Sequence, residues 1–482
     1  MDLTEANISR DVAIKRADAL FESGQFLATL DRMVRYKTKS QSSAYSEELV
    51  SYLEIELTPA FAALGFETQI VQSPAGKGPT LLATRVESEE KPTVLMYGHG
   101  DVVGGMIGEW SNGIDPWRCT TRGDRIFGRG TADNKGQLAI NIAALGVIHE
   151  LRAGKLGFNV KFVVEMGEEI GSPDLLNVCE RHRETLKADL FLASDGPRLS
   201  AERPTIFLGC RGARRIHLDL NLRDRSHHSG NWGGLLANPA TILASAIATL
   251  VDGSGRILLE ELQSPPMTSQ VQAALADVMV SPGPDEPSLS KDWGEKGKSP
   301  AERLYASNAL EILAFAAGSV ANPANSIPGQ AQAVLQLRFV VGTKIEEVVP
   351  AIEKHLNERG YGEIKVSQSQ YFNASRTDID NPWVSWTAES MRRTTGKSPA
   401  LLPNFGGSLP NDVFTDILGL PTIWVPHSYP GCCQHAPDEH ILLPLAAEAL
   451  RIMTGIFWDL GGLESRVPPS AANHDRADPA LL

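Results

Sequence analysis

The sequence predicts an α/β protein: a strand-helix sheet interrupted by a smaller α+β unit. Apolar strands alternate with helical periods from about Phe66 to Ser194, a half-exposed alternating texture takes over near Gly209, and the first texture resumes near Phe372. At 482 residues the chain exceeds the size at which one hydrophobic core stops growing, so more than one domain is expected. The larger domain reads as residues 1–209 and 372–482, with 210–371 inserted between its two parts.

Taken in order, Phe21, Leu27, Leu30, Met33 and Val34, then Leu49, Leu53, Leu57 and Phe61, recur at three- and four-residue steps and predict helices that stop at Gly65. Residues 66–72 and 80–86 read as strands. So does the apolar run Val94-Leu95-Met96-Tyr97, which ends in Gly98-His99-Gly100-Asp101. The stretch 104–122 fits neither period and predicts a loop. Leu138, Ile142, Leu145 and Ile148 predict a helix, with Asp133 in the loop just before it. Residues 159–166 and 188–194 are further strands, ended by Gly167-Glu168-Glu169 and by Asp195-Gly196. In the inserted unit, 211–222 alternates like an antiparallel strand. A helix at 239–250, an irregular segment to about Arg303, a strand at 331–341 and a helix at 345–359 follow. Residues 421–426 form a short strand leading to His435, and the tail from Pro468 reads as a loose terminus.

Charge excludes some functions. With 45 basic and 58 acidic residues the formal charge is -13, which argues against nucleic acid or an anionic membrane as partner. No apolar run approaches membrane-spanning length, and the start of the chain is polar, so a soluble cytoplasmic protein is expected. Five cysteines, odd in number and scattered, predict reduced thiols.

Residues i and i+2 at the end of a strand point the same way, so His99 and Asp101 face one site. Alone, this pair fits equally a metal ligand with an orienting carboxylate and a loop histidine beside a capping aspartate. Asp133 alone fits a helix cap. Collected, His99, Asp101, Asp133, Glu168, Glu169, Asp195 and His435 lie at strand ends or in loops. Histidines and carboxylates without paired cysteines suit one or two catalytic divalent ions, zinc first, with cobalt or manganese as alternatives. Adjacent side chains diverge, so of Glu168 and Glu169 one can bind metal while the other faces a bound water as base.

These residues resemble the M20 metallopeptidases, which include carnosinase-like dipeptidases, glutamate carboxypeptidase, acetylornithine deacetylase and succinyl-diaminopimelate desuccinylase. The resemblance runs from about Phe26 to Ile452. It rests on Gly98-His-Gly-Asp-Val102, Gly128-Arg-Gly-Thr-Ala-Asp-Asn-Lys-Gly136, Gly167-Glu-Glu-Ile-Gly-Ser172, Ser194-Asp-Gly-Pro197, His228-Ser-Gly230 and His435 in that order. It implies a mixed-sheet, three-layer zinc-peptidase catalytic domain with an inserted lid and dimerisation domain. His99 and Asp195 would hold one ion, Glu169 and His435 the other, and Asp133 both, with a cis peptide bond after Asp133. Glu168 matches the general base and Asp101 the partner of the His99 ring. His228 matches a lid histidine that reaches a partner subunit's site and stabilises the oxyanion, which implies a homodimer. Arg338 matches an arginine for the substrate carboxylate in the carnosinase-like branch, and Gly406-Gly407-Ser408 a turn beside it.

Departures from the family concern the substrate. Val340-Val341-Gly342 follows Arg338 where proline is common, and His435-Ala-Pro-Asp438-Glu439 stands where His-x-x-Asn-Glu is common. The expected activity is hydrolysis of an amide bond in a dipeptide or similar small substrate with a free carboxylate. The alternatives are an N-acyl amino acid amidohydrolase and a silent binding protein of the same fold.

Overall fold

The first helix, α1 (Arg10–Glu22), starts where the Ser9 hydroxyl accepts the Val12 N–H. The structure, a computed structural model, describes residues 8–73, 76–281 and 287–468; beyond Pro468 the tail expected to be loose lies outside them. In α2 (Gln25–Arg35) the buried residues are Phe26, Leu30, Met33 and Val34; the last three are at predicted positions, while Leu27 is half-buried and Phe26 is buried instead. The next helical stretch winds more widely over Tyr52–Leu57, continues over Thr58–Ala63, and stops at Gly65, whose φ of 75° suits glycine.

Strands of the large sheet are β1 (Glu67–Val71), β2 (Thr80–Arg85), β3 (Thr93–His99), β4 (Asn159–Glu165), β5 (Leu190–Ala193) and β6 (Thr205–Phe207). A separate four-stranded sheet uses β7 (Gly212–Asn221), β8 (Ala309–Ala316), β9 (Gln330–Phe339) and β10 (Lys365–Phe372). The chain then returns to the large sheet with β11 (Ala400–Leu402) and β12 (Thr422–Trp424). The large sheet has eight strands in the order β1-β2-β4-β3-β5-β12-β6-β11, and the smaller one runs β8-β9-β7-β10. β4, β3, β5 and β12 are mutually parallel, whereas β1, β2 and β4 pair antiparallel, so the large sheet is mixed.

β3 is buried along its whole length because both faces of the sheet are covered. Val94 and Met96 pack into one core with α1, α2, α3 (Lys135–Leu151) and α4 (Leu443–Leu460); Leu95 and Tyr97 pack into another with Phe191, Phe414 and Trp424. The smaller sheet has its own core, in which Ile216, Leu335 and Leu337 meet Val348 and Ile352.

Two stretches depart from the expectation, and in the first the end of 104–122, read as a loop, forms the strand Thr120–Arg122. In the stretch from 251 to about 303, read as irregular, a short helix forms at Ser269–Leu275 and another, Pro300–Tyr305, overlaps its end and is closed by a reciprocal Ser299–Glu302 cap. Their apolar residues Val271, Leu275, Ala301 and Tyr305 pack into the core that covers the large sheet, not under the smaller sheet. Among the described residues no helix is long and apolar enough to cross a membrane.

Candidate metal centre

Parallel pairing of β4, β3 and β5 brings their carboxyl ends to one edge of the sheet. His99 is the last residue of β3, the Glu168–Ile170 turn follows β4, and Asp195 follows β5. Gly100 lets the chain leave β3 sharply: a Cβ there would stand 2.4 Å from the Tyr52 ring and 2.7 Å from the Met166 sulfur. The chain then bends so that Asp101 Oδ1 lies 3.3 Å from His99 Nδ1. The same carboxylate accepts the backbone N–H of Glu168 at 3.2 Å and of Glu169 at 3.1 Å. Asp101 thus orients the His99 ring and also holds the turn that presents both glutamates. Asp133 precedes α3, and its peptide bond to Asn134 is cis. The Asn134 amide donates to the Ser194 carbonyl at 2.8 Å, which joins the Asp133 turn to the end of β5.

Asp133 stands between the two histidines. Its Oδ1 lies 3.0 Å from His99 Nε2 and its Oδ2 lies 3.0 Å from His435 Nε2. On one side Asp195 Oδ2 is 3.7 Å from His99 Nε2; on the other, Glu169 Oε2 is 3.0 Å from His435 Nε2. Two donor groups result, His99 with Asp133 and Asp195, and Asp133 with Glu169 and His435. Within each group one donor atom per residue lies within 4.8 Å of the others. Asp195 Oδ2 is buried without a hydrogen-bond partner, an arrangement that a cation would satisfy. Imidazole and carboxylate donors without a thiolate fit zinc, manganese or cobalt.

The sequence profile of the peptidase family M20/M25/M40 matches residues 95–459. The chain belongs to this family. It is a hydrolase of the peptidase class. A cysteinylglycine-S-conjugate dipeptidase from Corynebacterium striatum is 26% identical over 339 residues, covering 69% of this chain and 72% of that protein. The Beta-Ala-His dipeptidase of Homo sapiens is 25% identical over 402 residues, with 80% and 78% covered. The M20 family metallo-carboxypeptidase Sso-CP2 from Sulfolobus solfataricus matches in structure with a TM-score of 0.78 and 26% identity, over 91% of this chain and 99% of that one. The di-peptidase Dug1p from Saccharomyces cerevisiae matches with a TM-score of 0.78 at 19% identity, over 94% of this chain and 99% of that one, and so shares the fold.

The electrostatics of this M20 centre are those of a site that wants cations. Burial raises the Glu168 carboxyl well above its ordinary range, with Asp195, Glu169 and Asp133 adding repulsion against the pull of His99. Burial and the Asp133 charge push Glu169 up to about 7; burial takes Asp195 up to about 6. Hydrogen bonds that the ring donates to Asp133 and Glu169 push His435 up to about 10. Burial opposes charge on Asp133, but its hydrogen bonds to His435 and His99 win and hold its carboxyl below the usual range. In the free protein, bound protons therefore supply part of the positive charge that metal would bring, and metal must displace them. Because Asp195 and Glu169 release their protons only as pH climbs through about 6 to 7, and His435 only toward about 10, zinc affinity is expected to rise from about pH 6 upward. Chelator competition at pH 5.5 and pH 8 checks this.

His435 has a side chain 52% exposed whereas His99 is fully buried, so the site opens to solvent on the His435 side. The structure brings together His99, Asp101, Asp133, Glu169, Asp195 and His435, and sets Glu168 on the same turn as Glu169. Arg338 forms a second group: its Nη1 donates to Ser408 Oγ at 2.7 Å, and Ser408 in turn donates to the Arg211 carbonyl at 2.7 Å. The Arg211 guanidinium grips the Gly406 carbonyl, which steadies the turn through Gly407. His228 is exposed in the short strand His227–His228 and accepts the Gly230 N–H. Among the described residues no hydrogen bond or ion pair joins His228 or the Arg338 group to the metal cluster. Gln434, not singled out from the sequence, donates its amide to Asp133 Oδ2; no periodicity or motif marks it.

Asp101→Asn is expected to lower activity by more than it lowers metal content. The amide leaves donors of its own facing the Glu168 and Glu169 N–H groups, so it disturbs the turn, while every proposed ligand remains. Parallel measurement of bound zinc and turnover checks this.

Proposed function

We propose that this M20 peptidase is a binuclear metal-dependent dipeptidase that hydrolyses the amide bond next to a free carboxylate. The observation that carries the reading is the bridging posture of Asp133, one carboxylate oxygen to His99 and the other to His435. His99, Asp133 and Asp195 would hold one divalent ion, and Asp133, Glu169 and His435 the second, with zinc, cobalt or manganese suited to the donors. When bound, such ions supply Lewis acidity and lower the pKa of water toward neutrality. Glu168 stands outside both donor groups on the same turn. It takes the proton of the attacking water and returns it to the leaving amine. Arg338, with the turn through Gly407 and Ser408, binds the substrate's carboxylate; no carboxylate neutralises its guanidinium among the described ion pairs.

We also read residues 210–371 as supplying a lid and a dimer contact, acting in the cytoplasm. β8 is an edge strand of the smaller sheet, and its Ile312, Leu313 and Phe315 remain 48%, 49% and 44% exposed. An apolar edge strand left open invites pairing with a second chain. His228, joined to its own metal cluster by no hydrogen bond or ion pair among the described residues, would then serve the partner's site and steady the oxyanion. His228→Ala is expected to cost turnover at full metal content, and mixing it with a metal-site variant is expected to restore activity in mixed dimers. A fully active monomer in solution would contradict this arrangement.

The overall reading is tested by hydrolysis of a panel in the zinc-, manganese- or cobalt-loaded protein. Dipeptides are suggested by the cysteinylglycine-S-conjugate and Beta-Ala-His dipeptidase relatives. Turnover of dipeptides with a free carboxylate, and not of their amides, is the expected result. Preference for N-acyl amino acids would replace the dipeptidase reading with an amidohydrolase, and no turnover of either class would overturn both.

A further inference from the structure

Glu439 belongs to neither donor group, yet its carboxylate is the point at which the two ligand-bearing loops meet. It is 1% exposed. Its Oε1 accepts the backbone N–H groups of Gly130, Ala132 and Asp133, each at 3.0 Å. Its Oε2 accepts Gly130 N–H at 3.0 Å and Arg129 Nη1 at 2.7 Å. Three N–H groups of one loop thus converge on one carboxylate contributed from 306 residues away. The crosslink is reinforced from both sides. Gly128 N–H donates to the Glu439 carbonyl at 3.0 Å, and Arg129 Nη2 donates to the Ala436 carbonyl at 3.0 Å.

The loop that Glu439 anchors is one that needs anchoring. Cys433, His435 and Asp438 have φ of 57°, 60° and 64°, left-handed conformations that side-chain-bearing residues adopt only where surrounding contacts hold them. His435, the exposed ligand, sits inside this stretch, four positions before Glu439. Asp133, the shared ligand, has its own N–H on the Glu439 carboxylate. One carboxylate therefore fixes both the backbone of Asp133 and the end of the segment that carries His435.

We infer that Glu439 is a positioning residue whose carboxylate sets the spacing between Asp133 and His435, and so sets the affinity for the ion held by Asp133, Glu169 and His435. The inference rests on the proposed ion pair. The charge matters as well as the shape. In Glu439→Gln the amide must turn N–H donors toward Gly130 N–H or Arg129, so donors face donors in a buried site. Glu439→Asp keeps the charge and shortens the reach.

The test is zinc binding to the full chain, titrated against a chelating dye, for the wild type, Glu439→Gln, Glu439→Asp and Glu448→Gln. Glu448 pairs with buried Arg198 elsewhere in the same domain and serves as the control for general loosening. Two ions in the wild type, a 10–100-fold weaker second ion in Glu439→Gln, a smaller loss in Glu439→Asp and none in Glu448→Gln are expected, the range being that of lost outer partners of metal ligands. Unfolding temperature is read on the same samples. A fall in temperature with wild-type zinc affinities in both Glu439 variants reduces Glu439 to a structural residue and overturns the inference. If Glu439→Gln does not yield folded protein, the Asp variant decides, and wild-type affinity in it overturns the inference. A wild type that takes up no zinc overturns the proposed centre, and this inference falls with it.

Discussion

Glu168→Gln is expected to reduce turnover by about 10²–10⁴-fold while bound metal stays at the wild-type level. In barrier height this is about 3–5 kcal/mol. Glu168 is outside both donor groups, so its loss removes no proposed ligand. What it removes is a proton acceptor whose affinity for protons is raised first by burial and then by the neighbouring carboxylates Asp195, Glu169 and Asp133. Bound cations would draw this carboxyl back to its ionised form, the form that accepts a proton from water. Glutamine matches glutamate in size, and its backbone N–H can still donate to Asp101, so the turn and the neighbouring Glu169 keep their places. Metal content measured beside turnover on the best dipeptide of the panel separates the two functions. Wild-type activity in a metal-loaded variant would sink the base assignment, and loss of metal would move Glu168 into the ligand set.

The parts of this centre that can be read from sequence are those placed by periodicity. His99, Asp101, Glu168, Glu169 and Asp195 all follow apolar strands, and a parallel sheet carries the ends of neighbouring strands to one edge. His435 and Asp133 have no such marker. Their side chains meet across 302 residues, a closure that no local pattern encodes; they join the others in sequence only as loop residues of ligand chemistry, and the resemblance to M20 metallopeptidases assigns their roles. The α/β sheet was legible because apolar strands such as β3 and β4 alternate with helical periods, whereas its mixed character was implied only by the resemblance. The helices at Ser269–Leu275 and Pro300–Tyr305 were not, since six or seven residues span too few turns to display a period. Their apolar residues also face a core assembled from distant strands. Glu439 drew notice only as part of a varied motif, because an acceptor of backbone N–H groups can follow any spacing.

Asp133→Asn is expected to abolish activity, and its effect on stability should appear only with metal. In the loaded protein Asp133 would be shared by both ions, so the variant weakens both sites and removes most of the unfolding-temperature gain that zinc confers on the wild type. In the metal-free protein two effects compete. The variant gives up the contacts of a charged carboxylate with His99 and His435. It also relieves repulsion on Glu168, Glu169 and Asp195, each of which Asp133 pushes toward the protonated form. Asparagine has an oxygen and an amide, and can still accept from one histidine, so the loss is partial while the relief of charge is complete. Metal-free Asp133→Asn should accordingly unfold at a temperature close to that of the metal-free wild type, with the difference between the two proteins appearing on addition of zinc. Unfolding curves with a chelator and with excess zinc check both halves. A variant that is strongly destabilised without metal would show that Asp133 serves the fold itself. A variant that zinc stabilises as much as the wild type would remove Asp133 from the ligand set, and with it the bridge on which the binuclear reading rests.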